Sequence, residues 1–142
     1  MKFITFDVTN TLIKVASSVG HQYNKILLKS NSNFHLETNV SNKVFGKLFK
    51  EQNIKHPGYG FKEGMSSRHW WSVITKQVIL ENYKNNHVQN RPSESDLEVA
   101  ANLIFDEFCM KEYWLKYDNC SEFQFFKKKL NSNYLRVSIS SV

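Results

Sequence analysis

The chain has 142 residues and a mass of 16.7 kDa, which is room for one domain and little more. Hydrophobic residues make up 41% and charged residues 23% of the sequence, so wholesale disorder and fibrous repeats are excluded. The formal net charge of +6 is mild for this length, and no zinc-finger or RNA-recognition motif accompanies it. We therefore do not expect nucleic acid as a partner.

The cellular compartment is predicted from three negative signals. An acid at Asp7 interrupts the apolar start that a signal peptide needs, and no apolar run approaches the roughly 18–20 residues of a membrane span. Two cysteines without a CxxC pattern indicate reduced thiols, and Cys109 is expected to pack on an apolar helical face. The five histidines show no zinc-binding spacing. We expect an intracellular protein, cytoplasmic or nuclear, that does not bind membranes.

Four amphipathic helices are predicted in the middle of the chain. Residues 3–6 first form a short β-prone run, which predicts a buried strand ending at Asp7. Four stretches with apolar residues at helical spacing follow. Their apolar faces are Val19, Tyr23, Ile26 and Leu27; Val40, Val44, Phe45, Leu48 and Phe49; Trp70, Trp71, Ile74 and Val78; and Leu97, Ala101, Ile104, Phe105 and Phe108.

The boundaries of these helices also have local signals. Ser66 or Ser67 can cap the third helix, and Ser95 with Glu98 predicts a capping box at the start of the fourth. Residues 56–60, His-Pro-Gly-Tyr-Gly, form a loop that is either a plain connector or a functional loop.

The last part of the chain predicts a fifth, shorter helix over residues 121–130 and a strand over residues 135–140. Two strands so far apart in sequence favour parallel neighbours joined by a crossover rather than a hairpin. A parallel sheet usually has more than two strands, so the pattern predicts an incomplete α/β core. The lysines at 127–129 are interpreted as a solvated helical face.

Asp7 is the strongest candidate for a catalytic residue. A carboxylate at the carboxyl end of a buried parallel strand lies where α/β sheets bind ligands. With Mg²⁺ and backbone N–H groups from the following loop, it could attack phosphorus, and the Thr11 hydroxyl could hold the loop or a phosphate oxygen. The alternative is a strand-ending aspartate in an Asx turn, without catalytic function.

Residues 4–12, ITFDVTNTL, resemble motif I of the haloacid dehalogenase (HAD)-like hydrolase superfamily. Four further stretches resemble one branch of that superfamily and occur in the expected order: VGHQY at 19–23, PGYG at 57–60, WW at 70–71 and FDEFC at 105–109. Several moderately specific motifs in order identify the chain as similar to this branch more strongly than any one of them does.

The resemblance implies a role for each matching residue. Asp7 matches the nucleophile and a Mg²⁺ ligand, and the backbone carbonyl of Thr9 matches a second ligand. Thr9 also stands where family phosphatases usually have an aspartate as general acid/base, which implies weaker leaving-group protonation. Ser140 matches the phosphoryl-binding residue of motif II, and Asn10, Thr11 and Ser140 would bind phosphate.

The resemblance also implies an architecture. Residues 15–112 would form a mostly helical, four-helix cap, and residues 1–14 and 113–142 would form part of a Rossmann-like parallel core with two strands. The Lys or Arg of motif III and the acids of motif IV have no counterpart, so we expect a C-terminally truncated, inactive family member. Two protein ligands leave most of the Mg²⁺ shell to water, so Mg²⁺ binding by this chain is expected to be weak or absent. If the chain is active, a small phosphorylated compound is the expected substrate.

Two further expectations concern partners. The exposed edges of an incomplete core would favour self-association. The alternative to a phosphatase-type hydrolase is a non-catalytic protein-binding module, or pseudoenzyme, built on the helical cap.

Overall fold

A computed structural model describes residues 13–30, 34–85 and 91–116 of the chain. Four α-helices occupy most of these ranges: Val19–Lys29 (α1), Thr38–Lys55 (α2), Ser67–Asn85 (α3) and Glu94–Phe108 (α4). Two 3₁₀ segments lie at Gly58–Glu63 and Lys111–Tyr113, and two strands lie at Ile13–Val15 (β1) and Trp114–Lys116 (β2). The four predicted helices are all present.

The chain divides into two compact units. One unit, Ala16–Tyr113, contains all four helices, and the other consists of Met1–Val15 and Trp114–Val142. Of the second unit, the structure describes β1 and β2, which pair antiparallel with Ile13 opposite Lys116 and Val15 opposite Trp114. The assignment of the two units to a core and a cap remains a prediction.

The strand prediction and the described strands concern different residues. The strands predicted over 3–6 and 135–140 and the helix predicted over 121–130 lie outside the described residues, so the parallel Rossmann-like core remains a prediction. The sheet within the described ranges is antiparallel and was not predicted. Each of its strands has three residues, which is too short for a period-2 pattern to stand out in the sequence.

Three of the predicted apolar faces form the core of the helical unit. The described residues of these faces that are at most 3% exposed are Tyr23, Ile26 and Leu27 of α1; Trp70, Ile74 and Val78 of α3; and Leu97, Ala101 and Ile104 of α4. Val19, Trp71, Phe105 and Phe108 are half-buried. The core prediction is therefore confirmed for α1, α3 and α4, with the larger aromatic rings at its margin.

Helix α2 departs from the prediction. Its five predicted apolar residues are only half-buried, and the fully buried side chain of this helix is Ser41. The reason is the close approach of α1, because a Cβ on Gly20 would lie 2.6 Å from the Thr38 carbonyl oxygen and 2.8 Å from Ser41 Cβ. Small side chains at the crossing let the two backbones come together there, so the larger apolar residues lie beside the contact.

The helix caps confirm one prediction and correct another. Helix α3 begins after Ser66, whose Oγ accepts a hydrogen bond from the His69 amide at 3.2 Å, so Ser66 is the cap. The capping box predicted at Ser95 and Glu98 is wrong. Ser93 and Asp96 form it, with the Asp96 amide donating to Ser93 Oγ at 3.1 Å and the Ser93 amide donating to Asp96 Oδ2 at 3.3 Å.

The predicted capping box was wrong because α4 begins earlier in the chain than the pair of Ser95 and Glu98 implied. Ser93 has the extended backbone of an N-cap and follows Pro92, so the helix begins at Glu94 and Ser95 lies inside its first turn. The Glu98 carboxylate pairs with Lys76 of α3 instead of turning back to the cap.

Two smaller observations complete the fold. Cys109 is exposed at the C-cap of α4, so the prediction that it packs on an apolar face is wrong, because the helix ends at Phe108 and Cys109 follows it. Within the described ranges, no helix is both long enough and apolar enough to cross a bilayer.

Candidate functional site

The sequence-predicted catalytic residues lie outside the part of the chain that the structure describes. These are Asp7, Thr9, Asn10, Thr11 and Ser140. Their predicted meeting at one edge of a sheet, and their predicted roles, stay predictions. Strand β1 begins two residues after Thr11, so the described chain starts directly beyond the predicted motif.

Helix α1, the first element after β1, is fixed at its start by the hydrogen bonds of polar side chains. Ser18 caps it, and the Gly20 amide donates to Asn42 Oδ1 of α2 at 2.8 Å. The buried Gln22 side chain donates through Nε2 to the Ala16 carbonyl, and its Oε1 has no hydrogen-bond partner among the described residues. These contacts hold the entry to the helical unit in one geometry.

Asn82 of α3 is a second buried clamp. Its Nδ2 donates to Ser41 Oγ at 3.0 Å and to the Val78 carbonyl at 2.9 Å, and its Oδ1 accepts from the Glu37 amide at 2.8 Å. One fully buried amide thus ties α3 to the start of α2. The role of these residues was not predicted from the sequence, although a polar amide one turn after the apolar Val78 could have indicated a buried hydrogen-bonding residue.

The loop predicted at residues 56–60 has a strained backbone held by specific contacts. Tyr59 has a φ of +59°, and it stands between Gly58 and Gly60, which also have positive φ. A non-glycine residue in this region is uncommon, and such strain persists only where the surroundings enforce it. Here the His56 carbonyl accepts from Trp70 Nε1 at 3.1 Å, and His56 Nδ1 lies 2.5 Å from Glu63 Oε2.

This backbone places Tyr59 in an aromatic cluster between α2 and α3. The Tyr59 ring contacts Trp70 edge-on with a centroid distance of 5.0 Å, and it lies 6.1 Å from Trp71. Trp71 in turn stacks on Phe45 at 6.2 Å with an interplanar angle of 5°. Trp70 is fully buried, as its place on the predicted apolar face of α3 implies, while Trp71 is half-buried. The loop is therefore anchored to the core as well as connecting two helices.

Four of the five acidic residues of α4 form ion pairs with α1 or α3. Arg68 lies 2.5 Å from Asp106 and over the Phe105 ring, and the hydrogen bond from Arg68 holds the pKa of Asp106 below its usual range. Lys29 lies 3.1 Å from Glu107, whose pKa is lowered first by this hydrogen bond. These carboxylates therefore join α4 to α1 and α3.

No group of three or more metal-ligating side chains occurs in residues 13–30, 34–85 and 91–116. The predicted ligands, the Asp7 carboxylate and the Thr9 backbone carbonyl, are outside these ranges. Both are hard oxygen donors, and their chemistry fits the preference of Mg²⁺.

The chain is similar to several curated proteins. It is 27% identical over 117 residues to the haloacid dehalogenase-like hydrolase domain-containing protein 3 of Mus musculus, which covers 80% of this chain and 42% of the mouse protein. The proteins of the same name from Xenopus laevis and Homo sapiens are 27% and 22% identical, over 80% and 86% of this chain. This chain resembles the haloacid dehalogenase-like branch. The resemblance predicted from its motifs is confirmed.

Two further findings bound this relationship. No family model matches the chain. The aligned part spans 42 to 45% of the length of these three relatives, which is less than half of each.

Proposed function

We propose that the chain carries the nucleophile segment and the helical cap of a HAD-like phosphatase. The observation that carries this proposal is the similarity to HAD-like hydrolase domain-containing proteins over most of the chain, together with Asp7 directly after an apolar strand-like run. The unit Ala16–Tyr113 is proposed as the cap. A small phosphorylated compound in the cytoplasm or nucleus is the proposed substrate.

In the proposed reaction, an Asp7 carboxylate oxygen attacks phosphorus while the bond from phosphorus to the leaving oxygen breaks. The leaving oxygen takes a proton from solvent, so the products are an aspartyl phosphate and a free alcohol. Water then attacks phosphorus, which releases inorganic phosphate and regenerates Asp7. Asn10, Thr11 and Ser140 would donate hydrogen bonds to the phosphoryl oxygens. Mg²⁺ held by the Asp7 carboxylate and the Thr9 carbonyl would neutralise charge on the phosphoryl group.

Thr9 lowers the expected rate of this reaction. A threonine hydroxyl cannot replace a carboxyl group as general acid and base, a role worth roughly 10²–10⁴ in rate. The cation of motif III and the acids of motif IV also have no counterpart within these 142 residues. We therefore propose that the 142 residues by themselves bind the phosphoryl group without turning over a phosphate ester at an ordinary enzymatic rate.

Fluorine-19 NMR of the 142-residue chain with excess Mg²⁺ and beryllium fluoride tests whether Asp7 is the nucleophile, because beryllofluoride mimics a phosphoryl group on an aspartate. We expect protein-bound fluorine signals that require Mg²⁺ and disappear in Asp7→Asn. The matched control is Asp106→Asn, which removes the same charge from an exposed residue of α4 and should keep the signals.

Three results would contradict the proposal. Bound signals that persist in Asp7→Asn would exclude Asp7 as the nucleophile. Their absence from the unchanged chain would show that these residues do not form the phosphoryl site. Rapid, Mg²⁺-dependent hydrolysis of p-nitrophenyl phosphate by the 142-residue chain would refute the expected lack of turnover.

A further inference from the structure

An open cleft of about 450 Å³ lies on the helical unit between α1 and the segment that leads into α2. From α1 it is lined by His21, Asn24, Lys25 and Leu28. Their spacing of three, one and three residues places all four on one face of the helix. The opposite wall is formed by His35, Leu36 and Thr38.

Asn24 builds this cleft by fixing its two walls to each other. Its Oδ1 accepts a hydrogen bond from the Leu36 amide at 2.9 Å, and its Nδ2 donates to the Leu36 carbonyl and to Thr38 Oγ1. A side-chain amide thus satisfies both backbone groups of Leu36. The cleft is held by these hydrogen bonds before any ligand binds, and it is open to solvent, so a bound ligand would stay partly exposed.

The chemistry of the lining is basic and apolar. Lys25, His21 and His35 supply nitrogen donors, and none of the lining residues that the structure describes carries a carboxylate. Lys25 forms no ion pair with a described acid; its ammonium group lies 5.2 Å from the centroid of the Tyr113 ring. Glu107 and Glu112 of the neighbouring segment lie within ion-pair distance of Lys29, one turn further along α1.

An apolar surface lies beside these donors. Leu36 is buried in the wall, while Leu28 is 56% exposed, which leaves a large apolar side chain in contact with water. A ligand that covers Leu28 would gain the free energy of removing that surface from water. A purely inorganic anion would leave it uncovered.

We infer that this cleft binds a small organic anion. A carboxylate or phosphate head group would accept hydrogen bonds from Lys25, His21 and His35, and the apolar body of the ligand would pack on Leu28 and Leu36. All of these residues belong to the unit Ala16–Tyr113, and none belongs to the proposed phosphoryl site. The inference therefore does not depend on the proposed function.

Amide chemical shifts of the ¹⁵N-labelled 142-residue chain test this site, with hexanoate as the probe. Hexanoate should shift the amide signals of α1 and of residues 35–38 in a saturable way. Acetate, which has the head group alone, and hexanol, which has the tail alone, should each bind about tenfold more weakly, because each loses one part of the contact. Monohexyl phosphate, tested in parallel, shows which head group binds more tightly.

Variants of the named donors separate this site from a solvated basic surface. Lys25→Gln, which removes a charge, and His35→Ala, which removes the ring nitrogen atoms, should each weaken hexanoate binding by up to about fivefold, the loss expected for one partly exposed polar contact. Lys50→Gln removes the same charge from an exposed position of α2 outside the cleft and should have no effect. Asp7→Asn should also leave hexanoate binding unchanged, so this test and the test of the nucleophile fail independently.

Three results would overturn the inference. Hexanol binding as tightly as hexanoate would show that the anionic head group contributes nothing. Equal binding by the unchanged chain, Lys25→Gln and His35→Ala would exclude the named donors. Shifts confined to other parts of the chain would place any binding elsewhere. Since His35 lies in the segment before α2, His35→Ala remains informative if Lys25→Gln disturbs α1.

Discussion

Gly20 lies where α1 crosses α2, and its missing side chain allows the two backbones to approach. A Cβ at this position would lie 2.6 Å from a backbone oxygen, so Gly20→Ala forces the helices apart. We expect it to lower the free energy of unfolding by about 1–3 kcal/mol, as overpacking usually does. Gly46→Ala is the matched control, because Gly46 lies inside α2 with nothing within 4 Å of its would-be Cβ.

The control should raise the stability by about 0.5–1 kcal/mol, because alanine favours a helix over glycine. Urea unfolding followed by circular dichroism measures both variants. Gly20→Ala with the stability of the unchanged chain would mean that α1 and α2 are not in close contact.

Tyr23 is a buried residue whose ionisation makes stability depend on pH. Burial raises its pKa to about 12, although the hydrogen bond with Thr75 acts in the opposite direction. An unfolded tyrosine ionises near pH 10, so between about pH 10 and 12 the unfolded chain loses this proton while the folded chain keeps it. Stability should therefore fall as the pH rises, by about 1.4 kcal/mol per pH unit from this group.

Urea unfolding at pH 8 and pH 11 of the unchanged chain and of Tyr23→Phe tests this slope. The variant should lose less stability between the two pH values, since phenylalanine cannot ionise. Comparison at equal pH removes the contribution of the lysines, which both chains share. Tyr113 contributes in the same direction, because its burial and its hydrogen bond to Glu107 raise its pKa, so some slope should remain. Identical losses in the two chains would contradict the burial of an ionisable Tyr23.

Among the secondary-structure elements, α4 offers the sharpest test because two serines compete for its cap. Ser93 accepts from the Asp96 amide, whereas Ser95 is exposed inside the first turn. Ser93→Ala should destabilise the chain by about 1 kcal/mol, because it removes a partner of an otherwise unpaired helix amide. Ser95→Ala should be neutral or slightly stabilising, since alanine is the better helix former. Thermal unfolding compares the two, and the reverse order would restore the capping box predicted from the sequence.

The helices were predictable because their apolar residues repeat at helical spacing, as at Trp70, Ile74 and Val78. Other features depend on contacts between residues distant in sequence. The burial of Ser41 in α2 depends on Gly20, and the hydrogen bonds that hold Leu36 come from Asn24, twelve residues earlier. No local pattern identifies such contacts. The antiparallel pair of β1 and β2 joins segments about 100 residues apart, and neither strand has a distinctive sequence.

Of the two candidate sites, one was predictable from a local motif and the other was not. Asp7 and its neighbours were predicted from a contiguous motif, and the similarity to HAD-like proteins agrees with that motif at the level of the family. The basic cleft was not predicted from the sequence. His21, Asn24, Lys25 and Leu28 share a helical face that has no unusual composition, and the face becomes a cleft only when the segment 35–38 is fixed beside it.

For the molecule as a whole, the buried apolar side chains of the described ranges all lie between Tyr23 and Tyr113. The unit Ala16–Tyr113 therefore contains a hydrophobic core of its own, and ion pairs such as Arg68–Asp106 join its helices. We expect a fragment of residues 16–113 to fold cooperatively, because it holds all the buried apolar side chains of the described ranges. When the unfolding of this fragment in urea is followed by circular dichroism, the spectrum without urea should be helical and a single cooperative transition should follow.

A shorter fragment, residues 16–85, is the control for this prediction. It lacks α4 and with it the buried Leu97, Ala101 and Ile104, so α1 and α3 would expose the apolar surfaces that α4 covers. The loss of several buried side chains exceeds the marginal stability of a domain of this size, so the shorter fragment should show no cooperative transition. A gradual, non-cooperative loss of helix in the fragment 16–113 would mean that its four helices depend on residues 1–15 or 114–142 for their stability.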